Sequence, residues 1–240
     1  MQDNDDISSP ILGRRQILRT ASAFGILGLI GSALGQSRGF DRAEQDDDSD
    51  GLIDDAALQA MCVLTPAETE GPYYLNLNLL RQNITENYPG IPTRIFIHVV
   101  KASDCTPIVN APVDIWHCNA AGVYSGFAQQ GTQGLTYLRG TQITDANGTV
   151  IFDTIYPGWY PGRTVHAHFK VHPTTGSVLT SQMYFKPQLT TRVYGRPPYS
   201  THGQANTQNT QDGLYLAQTE VHVLSVLPTQ IQLELTIGVA

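Results

Sequence analysis

Charged residues are scarce in this chain of 240 residues: they make up 15% of it, with 14 Lys and Arg against 21 Asp and Glu. The cations form no cluster or stripe, and the formal net charge is -7. That argues against nucleic acid as a partner, because neutralising phosphates needs gathered basic side chains. No apolar run is long enough to cross a bilayer, so no stable membrane span is expected. Internal repeats are absent as well. The three cysteines, Cys62, Cys105 and Cys118, are far apart, which weakens any cysteine-based metal site. Three allow one bridge and one free thiol, and spacing does not say which two would pair. Cys118 lies in an apolar run beside Trp116 and can equally be a small buried hydrophobe.

What the chain has instead is 22 Gly, 14 Pro and 11 Tyr, with Thr also frequent. That mixture leans towards an all-β protein with many turns. The N-terminus stands apart. Arg14-Arg15 precedes an apolar stretch from Ala21 to about Leu34, and small residues follow at Ser32 to Gly35. Residues 1–35 therefore read as a twin-arginine-type export signal, which places the mature protein in the periplasm or outside the cell. Residues 36–55 read as an acidic, solvated linker around Asp46, Asp47, Asp48 and Asp50. They lack the ligand alternation of a calcium loop. Residues 56–240 form the folded domain, opening with a short helical turn at 56–61.

From Arg94 onwards short strand-like runs alternate with turn signals. The expected strands are Arg94 to Lys101, Val113 to Cys118, Tyr137 to Thr144, Thr149 to Ile155, Thr164 to His172, Val178 to Phe185, Glu220 to Leu227 and Gln230 to Val239. Asp145-Ala146-Asn147-Gly148 is a strong turn, so the runs on either side of it are expected to pair as a hairpin. Residues 186–213, rich in Pro, Gly, Thr, Gln and Asn, read as one long loop. The sum is an antiparallel β-sandwich carrying long loops.

One stretch draws the chemistry together. A Pro-Gly-rich loop carries Trp159, Tyr160 and Arg163, and the strand after it carries His166 and His168. Residues two apart on a strand face the same side, so both imidazoles converge. Either histidine alone reads as a satisfied core or surface residue; together they suit a metal. Cysteine partners are lacking and nearby carboxylates are few, which leaves Tyr160 and Tyr124 as further donors. Phenolate is a hard, anionic ligand and would favour ferric iron over zinc. Each tyrosine taken singly is ordinary amphipathic packing. His172 is a rival ligand on the same strand face, further from the tyrosine loops.

Five stretches then resemble the intradiol ring-cleavage dioxygenases, the family of catechol 1,2-dioxygenase and protocatechuate 3,4-dioxygenase. They are Thr69 to Tyr74, Val113 to Tyr124, Pro157 to Tyr160, Arg163 to His168, and Ser181 to Phe185. The match spans about residues 60–240 and is most similar to the secreted, single-domain branch. The resemblance implies non-haem Fe(III) held by Tyr124, Tyr160, His166 and His168. Tyr160 would be the ligand displaced by substrate, and would help take up a substrate proton. Arg163 and Gln182 would line the site. The implied reaction uses O2 to open a catechol ring between its hydroxylated carbons, giving a muconate-type diacid. The implied partners are a small aromatic diol and O2.

The chain departs from the family pattern in two places. The link from Tyr160 to Arg163 is short, which would leave the site less covered. Thr164 stands where a proline usually follows the arginine. An N-terminal helical dimerisation region is not evident, so oligomeric state is left open. The rival reading is a non-catalytic, secreted β-sandwich that binds a carbohydrate or a surface partner through loop tyrosines with Trp116 and Trp159.

Overall fold

The computed structural model describes residues 62–240. The expected export signal, the acidic linker and the turn at 56–61 lie outside the described residues. Eight strands form two four-stranded sheets. They are β1 (Pro92–Lys101), β2 (Pro112–Trp116), β3 (Arg139–Ile143), β4 (Thr149–Ile155), β5 (His166–Val171), β6 (Leu179–Tyr184), β7 (His222–Val226) and β8 (Ile231–Val239). The sheet orders are β4-β1-β8-β7 and β3-β2-β5-β6. All pairs are antiparallel except β1 with β8, which run parallel.

Each strand forms because β-branched and aromatic residues alternate with polar ones over a short run. In β1 the buried apolar positions are Ile95, Ile97 and Val99, every second residue. They meet Phe152 of β4 and Leu233, Leu235 and Ile237 of β8 in one core. The second sheet contributes Val113, Ile115, Ala167, Phe169, Val171 and Met183 to that same core. Burying each large side chain stabilises the fold by about 1.5–3 kcal/mol before entropy is counted.

Two expectations need correction. The runs flanking Asp145 to Gly148 are not a hairpin: β3 pairs with β2, while β4 pairs with β1 in the other sheet. The turn itself is tight, with Asp145 Oδ1 accepting from the amides of Asn147 and Thr149 at 2.9 and 2.8 Å. Gly148 has φ +70, and a Cβ there would come 2.5 Å from the Val99 carbonyl oxygen. The turn is therefore pressed onto β1 and works as a corner between sheets. Local turn chemistry does not decide which strands pair beyond it. The stretch 186–213 is also not one long loop, since it contains a helix, α1 (Pro187–Tyr194). Pro187 suits a first helical turn, and Leu189, Thr190, Val193 and Tyr194 are buried. Two turns of helix are too short to persist alone. The core beneath holds α1, and composition gives little sign of that.

Cys62 and Cys105 form the disulfide, with Cα atoms 5.4 Å apart. Cys118 is free and buried, as a small hydrophobe would be. After the bridge, residues 65–80 run as a strap over the outer face of the second sheet. The Glu68 amide donates to Thr180 O on β6, and Lys170 on β5 pairs with Glu70. Tyr74 donates to Asp114 Oδ2 on β2 at 2.8 Å, and the Thr141 amide on β3 donates to Leu79 O. The strap thus crosses all four strands and encloses a second cluster, of Trp116, Cys118 and Tyr124 with Tyr73, Tyr74, Phe127 and Tyr160.

Candidate metal centre

The pleat of the second sheet sends His166, His168, Trp116 and Gln182 to the outer face under the strap. Register brings them side by side, with Trp116 opposite His168 and His168 opposite Gln182. The Trp116 and His168 rings stack at 4.9 Å and 8°. Two loops complete the site. The turn after β2 delivers Tyr124, which is fully buried. Its amide donates to Gln130 Oε1 at 2.6 Å and its carbonyl accepts from the Thr132 hydroxyl at 2.7 Å. Tyr73 of the strap stacks on its ring at 4.3 Å. The loop after β4 delivers Tyr160.

The four rings close into a circuit. Centroids lie 6.4 Å apart for Tyr124–His168, 5.0 Å for His168–His166, 5.4 Å for His166–Tyr160 and 5.9 Å for Tyr160–Tyr124. His166 Nδ1 lies 2.6 Å from the Thr164 carbonyl, so that nitrogen carries the hydrogen and Nε2 keeps its lone pair. Nε2 in turn lies 2.9 Å from Tyr160 Oη. Among the described residues, four buried side-chain polar atoms lack a partner, and Trp116 Nε1, Tyr124 Oη and His168 Nδ1 are three of them. Buried polar atoms are normally satisfied, so the unpaired Tyr124 Oη and His168 Nδ1, on two rings of the circuit, fit a cation-binding centre. His172 is not part of it: its Nε2 meets Asp114 Oδ2 at 3.0 Å.

Burial sets the protonation of the donors. It pushes the His166 imidazole down to about 3 and His168 well below its usual value. Both are therefore neutral, the form that ligates a metal. Burial pushes the Tyr160 phenol up to about 12, with Arg163 pulling the other way, and Tyr124 well above its ordinary value. Two phenols this reluctant to ionise alone would become phenolates on a strongly charged ion. Among the described residues no group of three or more His, Cys, Asp or Glu gathers, so a metal here would depend on the tyrosines beside the two histidines.

Arg163 and Gln182 also meet. Arg163 Nη2 donates to Gln182 Oε1 at 2.5 Å, and its Nε donates to Asp212 Oδ2 at 2.9 Å. Gln182 Nε2 reaches the Thr69 carbonyl at 3.4 Å, and the Gln182 amide donates to Glu68 Oε2 at 3.1 Å. Glu68 further accepts from Tyr184 Oη at 2.8 Å. Thr164 has a use of its own, since its hydroxyl donates to Asn209 Oδ1 at 2.6 Å. The six residues singled out from sequence therefore come together: Tyr124, Tyr160, Arg163, His166, His168 and Gln182. Sequence reasoning missed Glu68, Tyr73, Asp212 and the stacking role of Trp116. Glu68 borders a quoted stretch and was within reach. Asp212 sits in a polar loop with no local signal.

Such a sandwich, with a buried tyrosine–histidine centre on one sheet's outer face, defines a class of all-β proteins. The family model described as Dioxygenase matches residues 69–191. An intradiol ring-cleavage dioxygenase from Tetranychus urticae superposes with a TM-score of 0.69 at 30% identity, covering 74% of this chain and 94% of that one. The dioxygenase domain of a dioxygenase carbohydrate-binding protein fusion from Streptomyces sp. SirexAA-E gives a TM-score of 0.57 at 30% identity, over 74% and 99%. Catechol 1,2-dioxygenase 1 of Acinetobacter lwoffii is 29% identical over 140 residues, 49% of this chain and 45% of that protein. The chain spans about half the length of that curated relative. It belongs to the intradiol ring-cleavage dioxygenase family, as the five sequence stretches implied.

Proposed function

We propose that this protein uses non-haem Fe(III), held by Tyr124, Tyr160, His166 and His168, to cleave catechol-type aromatics with O2 into muconate-type diacids. The observation that carries the reading is the closed circuit of two phenols and two neutral imidazoles, two of whose rings carry a buried polar atom without a partner. When bound, a ferric ion supplies Lewis acidity and a template that prepares an electron-rich catecholate for O2. The remaining work belongs to the chain. Tyr124 is fixed by its backbone bonds and its Tyr73 stack, so its oxygen stays in place. Tyr160 lies on a loop and is partly exposed, so its oxygen is the one placed to take a proton from a substrate hydroxyl. Thr164 O orients His166, and the Trp116 face orients His168. Arg163, always charged, stabilises negative charge building on the ring in a partly dry site. Overall, the bond between the two hydroxylated carbons breaks and each carbon gains one oxygen atom of O2. The oxidant is consumed whole and no external reductant is required.

The binding-module alternative loses support here. Trp116 is buried against His168 and offers no open platform, and the Trp159 indole donates to Gly203 O at 3.0 Å. Iron-loaded protein is expected to be red-brown from tyrosinate charge transfer and to consume O2 with catechol. Tyr160→Phe should abolish the uptake. A colourless, iron-loaded protein would overturn the ligand set. We further infer that the protein is exported. The Cys62–Cys105 bridge supports this, because such bridges persist in oxidising compartments. Fractionation that finds the chain only in the cytoplasm would reject it.

A further inference from the structure

We propose that Asp212 is a specificity-determining residue: it neutralises Arg163 beside the four-ring centre and sets the site against catechols that carry a ring carboxylate. This rests on the reading of the site as a catechol-cleaving centre and names the substrate class that it admits.

The segments bordering the centre are the strap 65–80, the turn 117–127, the loop 156–163 and the loop 204–215. Together they bring one Lys or Arg, Arg163, against Glu68, Glu70 and Asp212. The strands beneath add Arg139 and Lys170, and neither is free. Arg139 is buried and donates to Ser125 Oγ, Ser125 O and Tyr73 O at 2.9, 2.8 and 2.7 Å. Lys170 is ion-paired with Glu70 and lies 3.8 Å from the Tyr74 ring centroid. Among the described Lys and Arg of these segments and strands, Arg163 is the one left to greet an anionic substituent, and its charge is already met.

The Asp212 side chain is 2% exposed and sits in a built socket. Its Oδ2 accepts from Arg163 Nε and from the Thr164 amide, each at 2.9 Å, and its Oδ1 accepts from the Leu214 amide at 2.9 Å. The Thr164–Asn209 bond latches the same loop to the strand entrance, and Asn209 Nδ2 is tied to Phe185 O at 3.2 Å. A ring carboxylate entering here would leave water without gaining a free cation, whereas a neutral substituent incurs no such cost. The pairing also holds Arg163 in one pose against Gln182.

The test uses iron-loaded full-length protein and three probes: catechol, 3,4-dihydroxybenzoate and the methyl ester of that acid. The ester is neutral and no smaller than the acid, so it separates charge from size. Wild type should use the acid at least roughly 100-fold less well than the ester in kcat/KM. Asp212→Asn should narrow that gap roughly tenfold, with a parallel change in anaerobic Kd by calorimetry and little change in the ester-to-catechol ratio. A merely structural role would lower all three together. Equal use of acid and ester by wild type overturns the proposal, as does a folded Asp212→Asn with an unchanged acid-to-ester ratio. If Asp212→Asn does not fold, Asp212→Ser takes its place, and equal use of acid and ester by wild type overturns the proposal without any variant. Inactivity towards all three probes in a red-brown protein overturns the activity reading and this proposal with it; rapid turnover of the acid overturns this proposal alone.

Discussion

The two faces of the second sheet are built by the same strands and, at the end that bears the centre, are equally dry, yet they follow opposite rules. The inner face presents Val113, Ile115, Ala167, Phe169, Val171 and Met183 to the sandwich core. The outer face presents Trp116, His166, His168, Gln182 and Tyr184, all 2% exposed or less. Inner residues need only shape and apolar surface, and neighbours of similar volume could replace them at small cost. Outer residues carry polar atoms that lose water on burial, and each lone orphan costs about 1–3 kcal/mol. The strap and the loops supply partners for most of them: Glu68 for Tyr184, Thr164 O for His166, Arg163 for Gln182. Where partners are withheld, at Tyr124 Oη and His168 Nδ1, the face is left open to a ligand. Equal burial therefore does not mean equal purpose. The distribution of unpaired polar atoms tells the faces apart.

The strongest way to break this contrast is His166→Ala. Iron and colour should be lost, with oxygen uptake falling at least about a thousandfold, while the fold survives because the inner core is untouched. Elemental analysis and thermal melting on the same sample check both halves. Retention of iron and colour would show that the outer face is not a metal centre. Phe169→Ala, three residues further along the strand, should do the reverse. It should cost about 3–5 kcal/mol in a urea titration, while the fraction that stays folded keeps its iron. Loss of iron in proportion to stability would mean that the faces are not separable.

Acidification sharpens the comparison more gently. Burial depresses His166 to about 3 and His117 to about 4, with His168 also well below its ordinary value. The unfolded chain takes up protons near pH 6.5 that these folded imidazoles refuse, so it binds more protons than the folded state below that pH. Stability of the metal-free protein is therefore complete above about pH 6.5 and falls as pH drops towards the folded values, by up to about 1.4 kcal/mol per pH unit for each histidine. His117 adds to this slope from the inner side, where its Nε2 lies 2.7 Å from Thr154 Oγ1 of β4, while His166 and His168 act from the outer face. The urea midpoint at pH 5 should lie clearly below that at pH 7. An unchanged midpoint would mean that the imidazoles charge within the fold and that the outer face is wetter than its burial implies.

Much of this was legible in the chain before folding. Strands β1, β5, β6 and β8 stand out because their alternation of apolar and polar residues is local. The histidine pair is equally local: two residues apart on one strand fixes a shared face. The hairpin expected around Asp145 to Gly148 failed for the converse reason. The residues state that the chain turns, and partner choice then depends on β2 and β1, far away in the sequence. Helix α1 was hidden because two turns cannot show a clear period among Thr, Gln and Pro. The disulfide was undecidable from spacing alone, since it joins positions 43 apart that only the sandwich brings together.

The sequence by itself determined the all-β class, the family and the six side chains that gather at the centre. Each of these is written in short-range pattern or in motifs that keep their order along the chain. Tertiary structure decided which face of the sheet is the centre's home and what covers it. It also decided what holds Arg163. Asp212 meets that arginine across 49 positions and Glu68 meets the Gln182 amide across 114. The physical reason is the range of the interactions. Strand periodicity arises from neighbours, whereas the charge balance of a buried site depends on groups whose distance is set only when the chain closes on itself.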